Sequence, residues 1–97
     1  MSRWPMRVAR VRGNSMAPGY LDGDFVIALR FPWMKIRRKQ VVLAHHPDLG
    51  LILKRVTDQR PGAVLLSGDS PESTSTESMG WVSEGALYPV LRHIPKP

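Results

Sequence analysis

Two residues of this chain have types and settings that could do covalent chemistry together. Ser15 lies in the turn-rich stretch Gly13-Asn14-Ser15-Met16-Ala17-Pro18, and Lys54 lies in the apolar run Leu51-Ile52-Leu53-Lys54-Arg55-Val56. A serine hydroxyl is a weak nucleophile until a base takes its proton. A lysine can be that base only when deprotonated. Its reference pKa is about 10.4, whereas a working base sits near roughly 7–8. The difference of ~3 units corresponds to about 4 kcal/mol, which burial in an apolar setting can supply. Strand alternation puts Lys54 in one row with Ile52 and Val56, and Arg55 on the opposite face with Leu51 and Leu53. Arg55 cannot serve as the base, because a guanidinium does not deprotonate in proteins. It is expected to snorkel or to pair with a carboxylate. Gly13 removes bulk beside Ser15, and a tight turn leaves the backbone N–H groups of Asn14, Ser15 and Met16 available to a developing oxyanion.

Other chemistries are weakly supplied. The absence of cysteine excludes disulfides, thiolate metal sites and cysteine nucleophiles, and it fits a reducing compartment. His45 and His46 are adjacent, so on a strand they point to opposite faces, and His93 is distant; no metal site and no cofactor are expected. Asp22, Asp24 and Asp69 stand in Gly-Asp contexts that favour turn hydrogen bonds. The formal charge is +6, and residues 1–55 hold 11 Lys/Arg against 3 Asp/Glu. Such a basic half suits a solvated face, an anionic surface or an acidic partner. Trp4, Trp33 and Trp81 are not interleaved with basic residues within one strand, so no nucleic-acid partner is expected.

The elements that must carry Ser15 and Lys54 are short strands. The alternation predicts strands over Arg7–Arg12, Asp24–Arg30, Gln40–His46, Leu51–Thr57 and Ala63–Ser67, then two short strands or a strand and a turn between Trp81 and Ile94. The first is expected at a sheet edge, where its arginines discourage unwanted pairing. Turn signals separate the strands, and no segment has a helical period. The fold expected is all-β: one domain over residues 1–97, a small barrel or coiled antiparallel sheet. Phe31-Pro32-Trp33-Met34, followed by Lys35 and Arg37-Arg38-Lys39, reads as a protruding loop. Its Phe31, Trp33 and Met34 suit contact with a membrane surface or a peptide partner, or else cap one end of the core. No apolar run is long enough to span a bilayer and no signal peptide is evident, so the expected location is cytoplasmic. The sequence carries no sign of an oligomeric state.

The blocks Gly13-Asn14-Ser15-Met16-Ala17-Pro18, Gly23-Asp24-Phe25-Val26, Leu53-Lys54-Arg55-Val56 and Leu66-Ser67-Gly68-Asp69-Ser70 occur in the order found in a known superfamily. The chain resembles the Ser–Lys peptidases that include type I signal peptidases and the autocleaving SOS-repressor peptidases. The resemblance implies an all-β fold, a serine endopeptidase activity, Ser15 as nucleophile, Lys54 as general base and a protein precursor bound as an extended segment. Many signal peptidases carry a serine two positions before the nucleophile; here that position is Gly13, as in the repressor branch. The family's block after Gly-Asp supplies a serine that orients the lysine and a carboxylate–arginine brace. In this chain the candidates are Ser73 or Ser75 for the first role and Asp69 for bracing, with Gly80 and Val82 fitting the end of the block. In size and lack of an anchor the chain is similar to the nickel-type superoxide dismutase maturation proteases, whose nickel belongs to the substrate. The alternative is a catalytically degenerate β-domain that binds a peptide or nucleic acid.

Overall fold

The structure, a computed structural model, describes residues 5–31, 33–70 and 80–97. Seven strands form: β1 (Met6–Arg10), β2 (Phe25–Leu29), β3 (Val41–His46), β4 (Gly50–Arg60), β5 (Ala63–Ser67), β6 (Trp81–Ser83) and β7 (Tyr88–Ile94). A short 3-10 turn, Glu84–Ala86, leads into β7. All pairings are antiparallel, in the order β1-β2-β7-β3-β4-β5-β6. The class is therefore all-β, as expected. Of the two architectures anticipated, the open antiparallel sheet forms and the closed barrel does not, since β1 and β6 remain as edges.

The strand β7 joins the two halves of this sheet. It pairs with β3 through Tyr88 and Pro89, then with β2 through Val90 to Ile94. Pro89 cannot donate a ladder hydrogen bond, and it sits where β7 passes from one partner to the other. The β2–β7 register shifts between Ile27 and Ala28, and the β4–β5 register shifts between Val56 and Asp58. Bulges of this kind bend a strand and increase its local twist. The second one explains why β4 runs on to Arg60 rather than ending at Thr57: its alternation is reset there, so a strict period-2 reading stops too soon.

The side chains of β3 are buried on both faces of the sheet. Val41 and Leu43 join Val11, Met16, Val26, Ala28 and Leu53 in one apolar cluster. Val42 and Ala44 join Ile36, Val56, Val64 and Leu87 in the other. This alternation is what a central strand of β-branched and small apolar residues produces. In β2 Val26 and Ala28 are fully buried on one face, while on the other Ile27 and Leu29 are half-buried and Phe25 is 43% exposed. The first cluster carries the turn of Ser15 through Met16, and β4 carries Lys54 opposite Val42.

Candidate active site

The turn that presents Ser15 is built by hydrogen bonds at close sequence range. The Gly13 N–H donates to Asp22 Oδ1 at 2.8 Å, the Ala17 N–H to Asn14 O at 3.1 Å, and the Tyr20 N–H to Met16 O at 3.0 Å. Gly13 takes φ +74°, a left-handed conformation suited to a residue without a Cβ. Its amide is committed to Asp22, so Gly13 contributes the turn's shape and not a donor for an oxyanion. Met16 contributes more than backbone: its side chain is 1% exposed and plugs the first cluster, fixing the residue next to Ser15. The far end of the turn is closed by Gly23 N–H to Val11 O at 2.8 Å and Val11 N–H to Asp24 O at 2.7 Å. These two bonds extend the β1–β2 pairing up to the base of the turn.

Lys54 is 3% exposed, one of the few buried charged residues of the chain. It lies opposite Val42 across the β3–β4 ladder, in the row of Ile52 and Val56. Ser15 and Lys54, 39 positions apart in sequence, line one cavity of about 360 Å³. It is lined by residues 9–13 and 15–16, by residues 49 and 51–54, and by Val26 and Leu43. The apolar lining of Leu43, Leu51 and Leu53 beside a hydroxyl and an amine is the usual make-up of a small-substrate or side-chain pocket.

Arg55, the residue after Lys54, makes a bidentate pair with Asp69. Its Nε donates to Oδ1 and its Nη2 to Oδ2, both at 2.8 Å, while Nη1 donates to Lys39 O at 2.6 Å. Hydrogen bonding from Arg55 lowers the Asp69 carboxyl below its ordinary pKa, outweighing partial burial, and Asp69 in turn raises Arg55. Of the two expectations for Asp69, the carboxylate–arginine geometry forms, and among the described residues its side chain makes no turn bond. The next residue, Ser70, donates its N–H to Ser15 O at 2.9 Å. One short segment thus joins the Arg55 brace on β4 to the backbone of the Ser15 turn. Ser73 and Ser75 lie outside the described residues.

Asp22, Asp24, His46 and His93 have structural partners. Asp22 makes the turn bond expected of it. Asp24 makes one too, accepting from Leu21 N–H at 3.0 Å, but it also accepts from Lys96 N–H at 2.9 Å and meets His93 Nε2 at 2.7 Å. These bonds, the Leu21 and Lys96 amides foremost and then His93, hold the Asp24 carboxyl down at about 2. His93 also packs against Tyr20, with ring centroids 4.4 Å apart, so the C-terminal strand is clasped to the turn that follows Ser15. His45 is exposed and His46 buried, on opposite faces as read from sequence. His46 Nδ1 accepts from Asp48 N–H at 3.0 Å and Leu49 N–H at 3.2 Å, which organises the β3–β4 turn. Sequence reasoning missed the Asp24–His93 clasp and the His46 turn; the tight Pro47-Asp48-Leu49-Gly50 signature beside a histidine was the only local sign of the latter.

Among the described residues no helix is long and apolar enough to cross a membrane. No curated protein and no solved structure is significantly similar to the chain. The family model described as Peptidase S24-like matches residues 5–82, a span that includes the Ser15 turn, β4 with Lys54, and the Asp69 brace. That match covers most of the sequence, and the open all-β sheet agrees with it: the chain belongs to the Peptidase S24-like family, and so at family level to the serine peptidases.

Proposed function

We propose that this protein is a serine endopeptidase working through a Ser15–Lys54 dyad on a protein precursor. The observation that carries the reading is the cavity that Ser15 and Lys54 line together, one from a turn and the other from a buried strand position. The Ser15 Oγ attacks the scissile carbonyl carbon while the Lys54 amine takes the hydroxyl proton. The tetrahedral oxyanion is held by backbone N–H groups of the turn around Asn14, Ser15 and Met16. Collapse breaks the C–N bond, and Lys54 delivers its proton to the leaving amine. A water then attacks the acyl-serine ester, with Lys54 again accepting and returning the proton, which frees the new carboxylate and restores Ser15. The precursor lies extended beside edge strand β1, whose following residues form one wall of the cavity. Asp69 and Arg55 steady the segment that bonds to Ser15. The substrate class favoured by the sequence resemblance is a nickel superoxide dismutase precursor shortened at its N-terminus.

The test is to incubate the purified protein with that precursor and with the proteins encoded beside its own gene, and to read new N-termini by mass spectrometry. Ser15→Ala and Lys54→Ala are each expected to lower cleavage on the order of a thousandfold or more while leaving the circular dichroism spectrum unchanged. Lys54→Ala retaining most of the activity refutes the base assignment. Absence of any cleavage by the unaltered protein favours the non-catalytic binding module instead. Cleavage of a neighbouring protein but not the dismutase precursor keeps the dyad and removes the substrate.

A further inference from the structure

The loop between β2 and β3 is held firmly at its base and exposed at its tip. Ile36 is buried at 4%, and its N–H donates to Glu84 Oε1 at 3.2 Å while its carbonyl accepts from Gln59 Nε2. Further on, Lys39 N–H donates to Val56 O at 2.8 Å, and Arg37 N–H bonds Gln40 Oε1 at 3.0 Å. Nearer the tip, Met34 N–H donates to Phe31 O at 3.0 Å. On this anchored base Trp33 is 75% exposed, more than any other large hydrophobic side chain among the described residues. Its ring stacks on Phe31 with centroids 4.9 Å apart and planes at 10°. Trp33 therefore does not cap the core, one of the roles open to it from sequence.

Following Trp33 on the same loop are four exposed cations, Lys35, Arg37, Arg38 and Lys39. Among the described residues Arg38 is the one of the four with a carboxylate partner, Asp58 at 2.8 Å, and both side chains of that pair are largely exposed. An indole held in solvent on a loop with a surplus of exposed positive charge fits one environment well. The indole prefers the headgroup layer of a membrane, and cations are drawn to anionic lipid. A single-strand nucleic-acid platform needs successive aromatic faces along a basic groove. Here one face of Trp33 is covered by Phe31, and Trp81 is engaged by Arg60 at 4.2 Å on β6.

We propose that Phe31 and residues 33–39 dock the protein on an anionic lipid surface, with Trp33 entering the headgroup layer and Lys35, Arg37 and Lys39 facing lipid phosphates. The docking loop is separate from the cavity of Ser15 and Lys54, and the proposal stands whether or not that cavity is catalytic. The experiment is co-sedimentation of the whole protein with phosphatidylcholine vesicles, with and without phosphatidylglycerol, at low and physiological salt. Binding is expected to vesicles containing phosphatidylglycerol, to weaken with salt, and to be slight on phosphatidylcholine alone. Lys35→Gln and Arg37→Gln are each expected to lower the partition coefficient about fivefold, and Trp33→Ala about tenfold. The variants should keep the far-ultraviolet spectrum of the parent. No binding to anionic vesicles at low salt, or binding that Trp33→Ala leaves unchanged, overturns the proposal. So does tighter binding to single-stranded DNA than to anionic vesicles that is lost in the same variants.

Discussion

Replacing Asp69 by asparagine keeps the side-chain shape and removes the charge that pairs with Arg55. Two charge-assisted hydrogen bonds of 2.8 Å are then weakened together. Fully desolvated charge-assisted bonds contribute about 1.5–3 kcal/mol, and exposed ion pairs about 0.2–1 kcal/mol. The Arg55 and Asp69 side chains are 35% and 29% exposed, between those limits, so solvent screening discounts the upper figure. A coupling of about 1–2 kcal/mol follows, which for a domain of this size lowers Tm by roughly 5–10 °C. The measurement is a double-mutant cycle with Asp69→Asn, Arg55→Gln and the pair, followed by urea denaturation at pH 7. The cycle cancels the bond from Arg55 to Lys39 O, which both Arg55 variants lose. A functional loss should accompany the structural one, because Ser70 bonds Ser15 O one residue away from Asp69. Small displacements of a reacting group lower rates steeply, so Asp69→Asn is expected to reduce cleavage by about tenfold or more. The sign with pH is fixed as well. The Asp69 carboxyl is lowered in the folded state, so its contribution is complete above the unfolded carboxylate value and disappears as pH falls through the lowered one. A coupling energy under about 0.3 kcal/mol at pH 7 would refute the reasoning.

The Asp24 clasp should appear in acid. Its folded value of about 2 lies below the ordinary ~3.9 of an unfolded aspartate, so its contribution is complete above about pH 4 and is lost as pH falls towards 2. Asp24→Asn should flatten that part of the stability curve, and parallel curves for variant and parent between pH 5 and 2 would contradict it. At Gly13 an added Cβ meets nothing within 4 Å among the described residues, so the strain of φ +74° is what opposes Gly13→Ala. It should cost about 1–2 kcal/mol, and Gly13→Asn less, by thermal denaturation; equal losses for the two would mean that strain is not the cause.

The strands were legible because their alternation is nearly regular over short stretches. The strand expected over Gln40–His46 forms over Val41–His46. The edge position of β1 was legible from its arginines. What alternation cannot express is a change of phase. The β4 shift between Val56 and Asp58 leaves residues 58–60 paired with β5 in a new register, and no residue type there announces it. Closure is equally unreadable. Whether β1 meets β6 depends on twist accumulated over seven strands, and local patterns set each strand without fixing the sum. Pro89 pointed towards an interruption, and the strand accommodates it by changing partners at that residue.

The site was legible at the level of residue types and not at the level of pairs. Ser15 and Lys54 stood out, one by its turn and the other as a charge in an apolar run. Arg55 was expected to find a carboxylate, but nothing local chose among the aspartates. Register makes the choice. Arg55 is opposite Ser67 across the β4–β5 ladder, so Asp69, two residues on, falls on the same side as a diagonal neighbour. The same rule explains the clasp that sequence reasoning missed. Val26 is opposite His93 across β2–β7, and Asp24 lies two residues before Val26, again a diagonal. Both charged contacts around the Ser15 turn are thus consequences of two strand registers, in a sheet whose order places β7 between β2 and β3. A substitution that shifts either register should break its charged pair even where both charged residues are intact. The β4–β5 register is therefore as much a determinant of the brace behind Ser15 as Arg55 or Asp69 themselves.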